Sequence, residues 1–159
     1  MKGEKVGGEK SGKGESILID ATDCIVGKLA SFVAKQALLG KNVVVVNSEK
    51  AVISGKKHNI LKKYLRRRAL GKGRLKGPYW PKEADRLLRR IIRGMLPWKK
   101  TRGREAFKRI KCYKGNPLGE EEKEKFVAID VKEAKKELLD FITLGQLENL
   151  LKGKSDKVQ

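Results

Sequence analysis

The sequence predicts an α/β fold, and three observations predict it. A short strand-like run, Ile17, Leu18, Ile19 and Asp20, is followed by apolar residues at helical spacing, and then by Val43, Val44, Val45 and Val46. The valine run is β-branched and apolar at every position, which suits a strand buried on both faces of a parallel sheet. Strand, helix and strand within about 30 residues make a βαβ unit. The chain has 159 residues, a length that suits one domain, and 39% of them are hydrophobic, enough for one modest core.

Residues 1–16 are mostly Gly, Lys and Glu, with Val6 the single apolar side chain after Met1. Burial cannot offset the ordering entropy of such a segment, so a disordered tail is expected there, then one domain at 17–152 and a frayed end at 153–159. Ile17, Leu18 and Ile19 read as a strand. Thr22 and Asp23 offer a cap for a helix carrying Val26, Leu29, Ala30, Val33 and Ala37, which Gly40 closes. After the valine strand and a turn at Asn47 and Ser48, residues 51–54 are expected to extend the sheet.

Gly55 separates that strand from a helix over 57–70. Ile60, Leu61, Tyr64 and Leu65 form its packing side and Lys62, Lys63, Arg66 and Arg67 its charged side. Gly71, Gly73, Gly77 and Pro78 then break the pattern, and Lys72, Arg74 and Lys76 stud the loop. A glycine-rich basic loop lies close along a phosphate backbone, where bulkier side chains hold it away. Pro81 is expected to open the next helix, with Ala84, Leu87, Leu88, Ile91, Ile92 and Met95 as its apolar stripe. Arg86, Arg89, Arg90 and Arg93 oppose that stripe, and their planar forks suit bidentate phosphate binding. Gly94 ends this helix, and another short basic helix is expected over 102–111, anchored by Ala106, Phe107 and Ile110.

The C-terminal part begins with an acidic loop at 119–125 (Glu120, Glu121, Glu122, Glu124), expected to turn away from any polyanion. A strand at 126–130, helical composition at 131–139 and a short strand at Phe141 and Ile142 follow. Thr143 and Gln146 then have the spacing of a capping box, with Leu147, Leu150 and Leu151 behind it.

Charge identifies the partner class. The net charge is +20, and residues 56–114 hold 23 Lys and Arg against only Glu83, Asp85 and Glu105. The rest of the chain sums to zero, so the whole excess lies in one region, which repels itself unless a polyanion neutralises it. Nucleic acid is the first candidate. The expected contacts are Lys56, Lys57, Lys62, Lys63, Arg66, Arg67, Arg68, Lys72, Arg74, Lys76, Arg86, Arg89, Arg90, Arg93, Lys99, Lys100, Arg102, Arg104, Lys108, Arg109 and Lys111. Trp98 joins them as a ring able to stack on an exposed base, although packing beside Pro97 is the commoner use of such a residue.

Other classes fit less well. No apolar run approaches the roughly 18 residues of a membrane span, and no hydrophobic stretch follows the charged N-terminus as in a secretory signal. Cys24, Cys112 and the sole histidine, His58, lack zinc-site spacing, so two reduced thiols in a cytosolic protein and no metal are expected. Gly27 and Lys28 lie near a helix start but lack the rest of a phosphate loop, and no Gly-x-Gly-x-x-Gly follows the first strand. A nucleotide-dependent enzyme built on the βαβ unit is therefore the runner-up, without a nucleophile–base pair to support it. A basic peripheral membrane protein is the third reading; its helices have apolar sides matched to a core. No cofactor and no small-molecule substrate are expected.

Arg93, Gly94, Met95, Leu96 and Pro97, then residues 99–104, Ala106, Arg109, Ile110, Lys111, Tyr113 and Gly115, resemble the signature of the universal L-thirteen family of large-subunit ribosomal proteins. Asp20 and Ala21, the run 27–31, the run 44–47 and the run 53–56 agree in order and spacing. The resemblance covers roughly residues 17–117. Gly77 and Pro78, and the absence of histidine around Gly115, Asn116 and Pro117, resemble the archaeal and eukaryotic branch. Lys28 departs from the arginine of many members, and residues 1–16 lie outside the family core. The resemblance implies a three-layer α/β/α fold around a mostly parallel sheet of about four strands, with basic helices and loops in the middle of the chain. It also implies docking on large-subunit ribosomal RNA beside neighbouring ribosomal proteins in the cytoplasmic ribosome, without catalysis.

Overall fold

The valine run forms the centre of a sheet, as its uniform apolarity demands. The computed structural model describes residues 16–70, 77–117, 127–129 and 140–153. Strands β1 (Ser16–Asp20) and β2 (Asn42–Val46) flank helix α1 (Val26–Leu38) in sequence and pair in parallel, Ile17 opposite Val43 and Ile19 opposite Val45. Strands β4 (Ile110–Cys112) and β5 (Val127–Ile129) add in parallel at either edge, giving a four-stranded sheet in the order β4-β2-β1-β5. Strand β3 (Val52–Ser54) and helices α2 (Lys57–Ala69), α3 (Ala84–Gly94) and α4 (Thr101–Lys108) lie between β2 and β4 in the chain. Strand β6 (Phe141–Thr143) and helix α5 (Leu144–Gly153) close the described residues. The layered α/β class with a parallel sheet is the one the sequence predicts.

Alternation along the strands decides what each face covers. Ile17, Ile19, Val43, Val45 and Ile110 are fully buried on one face and share a core with Leu29, Val33 and Ala37 of α1 and with Leu87, Leu88 and Ile92 of α3. Val44 and Val46 point the other way and are also buried. Helix α1 packs against α3 and α4, and α5 packs against α2 and α3, so the three basic helices hang on one apolar frame.

Several local expectations change. Thr22 and Asp23 do not cap α1: the Thr22 amide and hydroxyl both donate to Asp20 Oδ1, and Asp23 adopts φ 56°, so the pair builds the turn before the helix. Gly40 does close α1. At φ +97° it donates its N–H to Ala37 O while Lys41 N–H reaches Gln36 O, a Schellman arrangement that glycine alone adopts without strain. Residues 51–54 do not extend the main sheet; β3 pairs antiparallel with β6 in a separate two-stranded sheet, Ile53 opposite Ile142.

Helix α3 begins at Ala84 rather than Pro81, because a carboxylate from α5 holds its first free N–H: Ala84 N donates to Glu148 Oε2 at 2.8 Å. Met95 lies just past that helix and is 43% exposed, outside the apolar stripe. The basic helix expected over 102–111 stops at Lys108. Ile110 and Cys112 alternate into the sheet instead, since the edge of β2 offers their backbone a ladder (Val43 N to Arg109 O, Tyr113 N to Val45 O). The expected capping box is present: Gln146 N–H donates to Thr143 Oγ1 and Thr143 N–H to Gln146 Oε1. The tail at 1–15, the acidic loop at 119–125, the helical stretch at 131–139 and the end at 154–159 lie outside the described residues.

Candidate nucleic-acid interface

The cations of 56–114 divide into two populations. Lys56, Lys57, Lys62, Lys63, Arg66, Lys99, Lys100, Lys108 and Lys111 are exposed. None of their side chains forms an ion pair or hydrogen bond with another described residue. Lysine suits this role, because its flexible stem keeps a strongly hydrated charge in solvent until a counter-charge arrives. Two open depressions flank the exposed side of α2. One, of about 530 Å³, is lined by Asn59, Lys62, Lys63, Arg66, Arg67 and Leu70, and the other, of about 550 Å³, by His58, Leu61, Lys62, Leu65, Arg66 and Ala69. His58 stands exposed in the first turn of α2, as its position among lysines suggests.

Most arginines are engaged inside the protein. Arg109 and Arg102 donate to Ala37 O and Leu38 O, the last carbonyls of α1, and Arg68 donates to Leu151 O in the last turn of α5. Cations at helix C-termini satisfy orphan carbonyls and meet the negative end of the helix dipole. Arg104 donates to Trp98 O, and Arg86 pairs with Glu83 at 2.7 Å. The others lie over rings. Arg67 stands 4.6 Å from the Trp80 centroid, Arg90 5.4 Å from the same ring, Arg89 4.6 Å from Phe107 and Arg93 4.0 Å from Trp98. Burial, and then the neighbouring Arg90 charge, pull the Arg93 guanidinium below its ordinary pKa. Like charges so gathered favour an anion between them.

Trp98 is half-buried, edge-on to Phe107 at 5.1 Å and covered by Arg93, so it packs as well as facing the surface. Trp80 carries two arginines yet escaped the sequence reading. The signal available was its place between two arginine-rich helices. Lys72, Arg74 and Lys76 fall outside the described residues.

One acid organises the underside of this surface. Glu148 is 7% exposed and accepts from Lys114 Nζ (2.7 Å), Lys152 Nζ (2.5 Å) and Ala84 N, tying α5, α3 and the segment after β4 together. Burial by itself raises a carboxyl pKa, but here the hydrogen bonds from Lys114, Lys152 and Ala84 outweigh it and bring Glu148 down to about 2. Sequence reading missed Glu148 because two of its three partners, Lys114 and Ala84, lie 34 and 64 residues away. Both cysteines are reduced, and burial pushes the Cys112 thiol up to about 12, leaving it protonated and unreactive at neutral pH. Gly27 stands exposed in the first turn of α1 with open space where a Cβ would go, so no close approach there requires glycine. Among the described residues no group of His, Cys, Asp and Glu is arranged to hold a metal, and no helix is long and apolar enough to cross a membrane.

Known proteins resemble most of this chain. A protein of Natronomonas pharaonis called large ribosomal subunit protein uL13 is 44% identical over 135 residues, covering 84% of this chain and 90% of its own. Proteins of the same name from Picrophilus torridus and Methanococcus maripaludis are 46% and 40% identical, covering 85% and 87% of this chain and 96% and 98% of theirs. Residues 15–118, which span the parallel sheet's first three strands and all three basic helices, match the family described as Ribosomal protein L13. The chain belongs to that family.

Proposed function

We propose that this chain is a structural constituent of the large ribosomal subunit, holding large-subunit ribosomal RNA through its Lys and Arg side chains and carrying out no reaction of its own. One observation supports the reading above the others: the +20 excess is confined to 56–114, and Lys56, Lys57, Lys62, Lys63, Lys99, Lys100, Lys108 and Lys111 there are exposed, with no ion pair to another described residue. A scaffold that fixes where cations stand releases counterions from RNA phosphates without having to fold on binding. RNA helices offer shape and backbone rather than readable base edges, which suits a surface of charges. Neighbouring ribosomal proteins complete its surroundings in the cytoplasmic ribosome.

Sedimentation of a cell lysate through a sucrose gradient at moderate and then high salt tests this directly. The protein is expected to travel with the large subunit and to resist the salt wash. Remaining at the top of the gradient at both salts would end the ribosomal reading. Arg93→Ala and Arg102→Ala are expected to weaken RNA binding while leaving the protein folded.

A further inference from the structure

The fold treats arginine and lysine differently. Four arginines lie over aromatic rings in two groups on either side of α3. Toward α2, Arg67 and Arg90 lie over Trp80, which meets Tyr64 edge-on at 6.1 Å. Toward α4, Arg93 lies over Trp98 and Arg89 over Phe107, and those two rings meet edge-on at 5.1 Å. A guanidinium that lies flat on a ring keeps its N–H edge free for a bidentate acceptor; Arg89 is the exception, since its Nε is buried and only its terminal nitrogens can serve. An ammonium in the same place has no such division of labour. The rings also remove most of the rotamer freedom that a free arginine loses when it binds.

We propose that these groups are two preassembled seats for RNA backbone phosphates. One is the α2–α3 seat of Arg67 and Arg90 on Trp80; the other is the α3–α4 seat of Arg93 and Arg89 on Trp98 and Phe107. The exposed lysines supply charge around the seats, and the ring-backed arginines fix register. Trp80 is a positioning residue that acts through its two arginines. Arg86, turned to Glu83, belongs to neither seat. This inference rests on the reading that the chain binds ribosomal RNA.

The test measures affinity of the full chain for an archaeal large-subunit rRNA transcript at several KCl concentrations, so that affinity and salt slope separate. Arg67→Lys with Arg90→Lys, and Arg93→Lys with Arg89→Lys, keep every charge. Each pair is expected to lose about tenfold or more in affinity at an unchanged slope, as is Trp80→Leu, whereas Arg86→Lys changes affinity less than about twofold. Lys99→Ala with Lys100→Ala is expected instead to flatten the slope by about 1–2. Full affinity in both Arg→Lys pairs, with the parent still binding steeply, overturns the seats and leaves the RNA reading intact. A parent chain without salt-steep binding brings down both. A second measurement avoids any variant that fails to fold: nuclear magnetic resonance of the arginine Nε–H groups in the RNA-free protein. Ordered Arg67, Arg89, Arg90 and Arg93 beside a mobile Arg66 is the expected result, and equal mobility of all five overturns preassembly.

Discussion

A methyl group on Gly103 would lie 2.2 Å from the Pro97 carbonyl oxygen and 2.5 Å from its carbon, and both are backbone atoms that cannot step aside. The first turn of α4 therefore rests directly on the segment that leads out of α3. Gly103→Ala is expected to destabilise the protein by at least about 2 kcal/mol in urea unfolding, as overpacking at a rigid contact does. Gly27→Ala is its counterpart. It has open space around the added carbon and an exposed helical position, so it should gain up to about 1 kcal/mol. Glu148 offers a different lever. Its folded pKa of about 2 lies below the ordinary 4.5, so its stabilisation is full above about pH 4.5 and is lost as pH falls toward 2. The shift corresponds to at most about 3 kcal/mol. Glu148→Gln should lower stability at pH 7 by roughly 2 kcal/mol and flatten the acid limb of the stability profile between pH 4.5 and 2. A variant whose acid limb matches the parent's would show that another carboxylate sets it.

At the scale of elements, what the sequence made legible depended on whether the signal was local. The Thr143 and Gln146 pair lies three residues apart and closes the reciprocal cap its spacing predicts. Thr143→Ala should therefore cost about 1 kcal/mol, measured as a fall in thermal midpoint, because the Gln146 N–H in the first turn of α5 loses its acceptor. The Gly40 stop and the α1 stripe were legible for the same reason. Strand β4 was not: three residues are too few for alternation to show against a helical stretch, and what makes Ile110 to Cys112 a strand is the free edge of β2, 67 residues away at Val43. The start of α3 was misplaced at Pro81 because its partner, Glu148, comes from the other end of the chain. In the candidate interface, the arginine stripe of α3 was legible from its period. The assignment of its members to Trp80, Trp98 and Phe107 was not, since the rings arrive from the segments on either side.

For the whole molecule, charge and fold act at different ranges. The sheet and its helices are held by an apolar core that would fold the same chain with fewer cations, yet all of the excess charge lies in one third of the sequence. Such a concentration draws a polyanion over distances up to a Debye length, about 8 Å at physiological salt, and its effect must fade as salt rises. If about ten of these cations meet phosphates, log affinity for ribosomal RNA should fall against log salt with a slope of roughly −7 to −9. Measured by filter binding across 50–300 mM KCl, a slope shallower than about −3 would mean that few phosphates are neutralised. The exposed lysines would then be solubilising charge rather than contacts. A steep slope, by contrast, fixes the number of contacts without saying which residues make them. That is why the charge-preserving Arg→Lys pairs carry separate information: they hold the long-range term constant and change only how firmly the phosphates are gripped at close range.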